Sequence, residues 1–160
     1  MCLAGITLVA VPLRAQSAED RRIRALPQWE VRQDLTFARE PSAHAGAGLN
    51  VRTGYYARLG ATFNAGAVRD ARNVWVGTQR LDLTARFLLD PFGERSRAWY
   101  GGGGVSIARR PGVPAVTTMQ WVIGLEGAQE GKITPAVELG MGGGVRLGVV
   151  LRGTRRGQAR

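Results

Sequence analysis

Between Trp29 and Arg152 the chain alternates apolar and polar residues with a period of two, segment after segment. A period of two is the side-chain repeat of a β-strand, whose successive residues point to opposite sides. In the first segment Trp29, Val31, Leu35 and Phe37 share one face, with Gln33 the only exception, and Glu30, Arg32, Asp34 and Thr36 share the other. Ala45, Ala47, Leu49 and Val51 form the next apolar face, and Ala57, Leu59, Ala61, Phe63, Ala65 and Ala67 the third. Leu81, Leu83, Ala85, Phe87 and Leu89 follow, then Trp99, Val105 and Ile107, then Met119, Trp121, Ile123 and Leu125. Ile133, Val137, Leu139 and Met141, and finally Val145, Leu147, Val149 and Leu151, complete eight segments. The apolar face carries no charge in any of the eight. The opposite face carries Glu30, Arg32, Asp34, Arg52, Arg58, Arg80, Asp82, Arg86, Glu126, Glu138, Arg146 and Arg152. One alternating segment describes any half-buried strand. Eight in succession without a violation predict an all-β, eight-stranded antiparallel sheet that closes on itself.

The chain has 160 residues, enough for one domain. Its segments run to about eight to eleven residues, near the length a tilted strand needs to cross a bilayer. No run of 18 apolar residues exists, so no helix is expected to cross one. Cys2 is the only cysteine and His44 the only histidine, which excludes an intrachain disulfide and a multi-histidine or cysteine metal centre. No cofactor is expected. The formal charge is +10, and Lys132 is the only lysine, so arginine supplies almost all the positive charge. The arginines alternate along strands and form neither a basic helix nor a stacking platform, which argues against nucleic acid.

Residues 2 to 13 form an apolar run followed by Ala15 and Ser17, small residues with the spacing of a signal-peptidase site. This divides the chain into a signal peptide over 1–17, a lead over 18–27, a barrel over 28–153 and a basic tail over 154–160.

Two barrels fit the alternation. A soluble, lipocalin-like barrel turns its apolar residues inward around an apolar ligand. A membrane barrel turns them outward to lipid and keeps a polar interior. The polar face favours the second, because it is built from glycine, alanine, serine, threonine, asparagine and charge with almost no lysine. Small residues beside arginine forks suit a narrow interior in which five carboxylates meet seven arginines. Connections are expected at 53–55, 90–98 and 128–132 on one end. On the other they are expected at 39–45, 69–79 and 108–118, with a glycine turn at 142–144, so that the longer loops face outward. Trp29, Tyr55, Tyr56, Phe87, Phe92, Trp99 and Tyr100 gather at the first end, as interfacial aromatics do.

Over residues 28 to 153 the sequence resembles the small eight-stranded outer-membrane barrels of Gram-negative bacteria, the outer-membrane protein A and X type. The resemblance is carried by the signal-like start, the eight segments, and stretches such as AGLNVRTGYYARLGATFNAG and RAWYGGGGVS. It implies an integral outer-membrane, transmembrane up-and-down barrel, monomeric, inserted by the barrel assembly machinery, with a structural or surface-interaction role. Such chains commonly end in an aromatic residue, whereas this one ends LRGTRRGQAR. No functional residue carries over from the resemblance.

Some barrels of this size are lipid-modifying enzymes using serine, histidine and an acid. Here only Glu40, Ser42 and His44 offer that set, in the first outward loop, where little would hold a base against its nucleophile. The expectation is therefore a protein without catalysis. Its interior charges pair into a closed plug, and Arg39, Arg69, Arg72, Arg109 and Arg110 face outward where lipopolysaccharide phosphates would lie.

Overall fold

A computed structural model describes residues 27–90, 96–128 and 132–153. The signal peptide, nearly all of the lead and the basic tail lie outside the described residues. Eight strands follow in chain order: β1 (Gln28–Phe37), β2 (Ser42–Arg52), β3 (Ala57–Arg69), β4 (Trp75–Leu88), β5 (Ala98–Arg110), β6 (Val113–Glu126), β7 (Ile133–Met141) and β8 (Val145–Gly153). Each pairs antiparallel with the next, and β8 returns to β1, from Glu30 opposite Arg152 to Phe37 opposite Val145. The result is a closed up-and-down barrel. Closure leaves no complete edge strand, so the ladder satisfies the backbone from both sides.

The alternation sets which residues face in. Burial switches with every residue along β1, β4 and β7 and along β8 as far as Arg152, and all but a few of the apolar members point out. Leu35, Leu49, Phe63, Leu83, Trp121, Val137 and Leu147 are all exposed, Trp121 at 64%. The inside is small and polar, with one apolar group of Leu88, Tyr100, Ala136 and Val150. The soluble alternative, with apolar residues turned inward, has the opposite orientation to this molecule.

The far end, away from Gln28 and Gly153, differs from expectation. Loops were expected over 39–45, 69–79 and 108–118, but β2 begins at Ser42, β4 at Trp75 and β6 at Val113, while β5 runs to Arg110. Tight turns replace the loops. Asp70 Oδ1 accepts hydrogen bonds from the backbone N–H of Arg72 and Val74, both at 2.9 Å, and Asn73 takes a left-handed φ of 67°. An Asp-centred turn of this kind reverses the chain quickly enough for Arg69 to pair with Trp75. At the next reversal Pro111 and Gly112 link Arg110 to its partner Val113, and Gly112 has a φ of 73°. Proline followed by a left-handed glycine is the signature of a type II turn. The longer connections, 89–97 and 127–132, fall instead at the end that carries the termini.

The wall is uneven in consequence. Residues Val113–Gln120 of β6 pair only with β5, because β6 and β7 first meet at Trp121 opposite Met141. Pro114 stands on this free edge, where a missing N–H costs no ladder bond.

Candidate functional site: the charged lumen

The lumen is built two residues at a time. Period two sets Glu30, Arg32 and Asp34 on the inner face of β1, and their side chains reach one another along the strand. Arg32 grips Asp34 with both sides of its fork, Nε to Oδ2 and Nη2 to Oδ1, each at 3.0 Å. The same Nη2 reaches across to Glu138 Oε2 at 2.8 Å, and Nη1 lies 3.4 Å from Glu30 Oε1. A planar five-donor cation can grip one carboxylate with two parallel N–H bonds and still reach two more, a fork that a lysine ammonium does not offer. Arg32 thereby joins two clusters.

Toward the terminal end, Glu30 is the hub. It accepts from Arg86 Nη1 at 3.1 Å, Arg86 Nη2 at 3.2 Å, Arg152 Nε at 2.9 Å and Asn50 Nδ2 at 2.8 Å. Arg152 also donates to Glu138 Oε1 at 2.9 Å, and Glu126 Oε1 takes Arg152 Nη1 at 3.4 Å and Arg58 Nη1 at 3.3 Å. Arg52 sits half-buried at the rim, directly opposite Arg58.

Toward the far end the cluster is smaller. Arg80 donates to Asp34 Oδ2 at 2.6 Å and to Asp82 Oδ2 at 3.1 Å. Arg146 donates to Gln120 Oε1 at 2.7 Å and lies 3.5 Å from Asp82 Oδ2. Of the twelve charged residues read from the inner face, all but Arg52 are buried.

Neutral members of the network were not singled out from the sequence. Tyr100 is 1% exposed, so it belongs to the lumen and not to the aromatic group at the barrel end. Its hydroxyl donates to Glu138 Oε1 at 2.6 Å and accepts from Arg152 Nη2 at 3.0 Å. The Arg152 guanidinium also lies 4.9 Å from the centre of its ring. Gly124, directly opposite on β6, makes the room: a Cβ there would run into the Tyr100 ring. The strand position of Tyr100, one residue from Trp99, was the available signal. Asn50, Asn64 and Gln120 likewise follow from parity alone, once inner positions are treated as hydrogen-bonding positions. Phe92 lies outside the described residues.

The set Glu40, Ser42 and His44 is not assembled into a relay. Ser42 and His44 belong to β2, not to a loop, and His44 is buried in the lumen with no hydrogen-bond partner for either ring nitrogen among the described residues. Glu40 is taken up by Arg110 Nη1 at 2.6 Å. Arg110 is one of the arginines expected to face outward, and its ion pair with Glu40 links the β1–β2 turn to the β5–β6 hairpin. Among the described residues no group of three His, Cys, Asp or Glu is placed to hold a metal ion.

The outer face of the barrel carries a shallow apolar groove of about 300 Å³ where Gly101 leaves a gap between Phe87, Leu89, Trp99 and Ile123. Near it Tyr56 stacks on Phe87, ring centres 5.6 Å apart.

No protein-family profile matches this sequence, and no curated protein matches it either. Solved structures do. The chain superposes on the N-terminal β-barrel domain of Pseudomonas aeruginosa OprF with a TM-score of 0.62 at 14% identity, covering 79% of this chain and 96% of that one. It superposes on Neisserial surface protein A with a TM-score of 0.58 at 11% identity, covering 81% of this chain and 96% of the other. At such identities the likeness is one of fold. The closed eight-stranded barrel is the architecture these small outer-membrane barrels share with this protein.

Proposed function

We propose that this protein is an exported, integral outer-membrane β-barrel of Gram-negative type, without catalysis, whose lumen is closed by its charge network. The observation that carries the reading is the inversion of the ordinary globular pattern. Leucine, valine, tryptophan, methionine and phenylalanine cover the outside, and arginine, glutamate and aspartate are buried. An exposed apolar surface of this extent needs lipid or a partner to cover it. A closed barrel is the β architecture that leaves no backbone group unsatisfied in lipid.

The supporting features agree in direction. The apolar run over residues 2 to 13 supplies an export signal. Trp29, Trp99, Tyr55, Tyr56 and Phe87 form an exposed aromatic belt at the terminal end, which this reading sets at the periplasmic interface. That orientation rests on the termini, since connection lengths run the other way. Arg39, Arg69, Arg72 and Arg109 then lie at the outer surface, where guanidinium groups suit lipopolysaccharide phosphates. The role is structural or one of surface contact, carried out by a monomer that the barrel assembly machinery inserts.

Membrane fractionation followed by a gel run with and without boiling tests the reading. The protein is expected in the outer-membrane fraction, with a band that shifts on boiling as the barrel unfolds. Recovery in the soluble fraction without detergent, with no shift, would falsify it.

A further inference from the structure

The row of side chains on the outside of β5 is interrupted. Trp99 stands at the terminal end, the next two outward positions are Gly101 and Gly103, and Val105 resumes the apolar row. Gly103 is covered: a Cβ there would stand 3.1 Å from the ring of Trp121, its partner across the ladder on β6. Gly101 is open. A Cβ there would meet only the backbone oxygen of Val122, at 3.8 Å.

Register turns the gap into a furrow. Gly101 pairs with Phe87 on β4 and with Ile123 on β6, so a large outward side chain stands on each side of a missing one. Leu89 and Trp99 line the terminal end, and the space comes to about 300 Å³. Tyr56 braces the Phe87 wall, its ring stacked on that of Phe87 with the two planes 12° from parallel. The furrow is therefore built into the outer face, with a shape that hydrocarbon can fill.

A cation stands close to its terminal end. Arg97 is exposed and lies two residues before Trp99, about 7 Å of extended chain. An apolar furrow, then an indole, then a guanidinium follow one another along this stretch of chain. A phospholipid presents the matching order of acyl chain, interface and phosphate.

We propose that the furrow over Gly101 seats one acyl chain of an anionic phospholipid, with its phosphate held by Arg97. The proposal rests on the outer-membrane reading, which sets the terminal end at the periplasmic interface, and adds to it a fixed position and a lipid class. A chain lying between Phe87 and Ile123 gains contacts on three sides, and the arginine fork suits the phosphate oxygens.

Folding into phosphatidylcholine vesicles with a rising fraction of phosphatidylglycerol, brominated on its acyl chains, tests this, because bromine quenches a tryptophan it touches. Quenching of Trp99, read as the difference between the parent protein and Trp99→Phe, is expected to saturate at a low phosphatidylglycerol fraction. Brominated phosphatidylcholine is expected to quench only in proportion to its fraction. Gly101→Leu fills the furrow without a clash. It is expected to insert and shift on boiling as the parent does, and to lose the saturable component. Arg97→Gln is expected to raise the half-saturating fraction about fivefold, the worth of one basic residue at an anionic surface.

Equal quenching by the two brominated lipids, or saturation that survives Gly101→Leu, overturns the proposal and leaves the outer-membrane reading standing. Saturation that follows the protein-to-lipid ratio in place of the phosphatidylglycerol fraction means that a second copy covers the furrow, and overturns it too. Failure to insert, with no quenching by either lipid, overturns both. The comparison of the two lipids decides alone if Gly101→Leu fails to fold.

Discussion

Glu30 shows how much one inward position carries. Five donor groups converge on its carboxylate from β1 itself, from its neighbours and from across the lumen, and all belong to buried side chains. Glu30→Ala leaves Arg86 and Arg152 to share Glu138 and Glu126 with the other lumen arginines, and removing one partner of a buried pair costs about 3–5 kcal/mol. Urea unfolding in micelles should show that loss. Gly124 makes the complementary point, since nothing about its own chemistry matters. Gly124→Ala drives a methyl group into the Tyr100 ring and is expected to lose about 1–3 kcal/mol. The loss should shrink in a Tyr100→Ala background, because coupled neighbours do not add independently.

At the scale of the strand, the two faces should respond differently to the same charge. Leu83 lies mid-strand on the outside of β4, paired with Ala61 and Val105. Leu83→Arg is expected to cost about 2–4 kcal/mol if the face meets lipid, as the depth dependence of barrel surfaces requires. Folding into bilayers, followed by denaturant titration, measures it; a change within error would mean that water reaches this face. The strand ends were the least readable part of the sequence. Outer-face periodicity fades beyond Ala67, where Arg69, Gly77 and Gln79 break the apolar run, so 69–79 looks like a loop. The turn chemistry was present in Asp70, Asn73, Pro111 and Gly112, and it marks the reversals more sharply than hydrophobicity does. The Glu40–Arg110 pair that ties two of these turns together is about one-third exposed and is worth little as stability.

For the whole molecule the question is what an eight-stranded barrel can hold. Eight strands enclose room for side chains and little else, and here Arg32, Arg58, Arg86, Arg152, Tyr100 and Glu138 fill it from wall to wall. Reconstituted in planar bilayers, the protein is expected to show no large, steady conductance. A persistent open level would mean that the cross-lumen pairs of Arg86 with Glu30 and of Arg58 with Glu126 do not hold in the membrane.

The sequence by itself determined the barrel, because side-chain parity is a local property: once a strand is extended, alternate residues must face opposite ways. It therefore assigned Glu30, Arg58 and Arg152 to one face and Leu83 and Trp121 to the other without knowledge of any partner strand. Only the tertiary structure decided the pairings. Whether Arg32 reaches Glu138 or Asp82, why Tyr100 lies in the lumen over Gly124, and why Arg58 is left with a shared oxygen depend on register and closure. Those place residues more than a hundred positions apart within hydrogen-bonding distance, which no local pattern encodes.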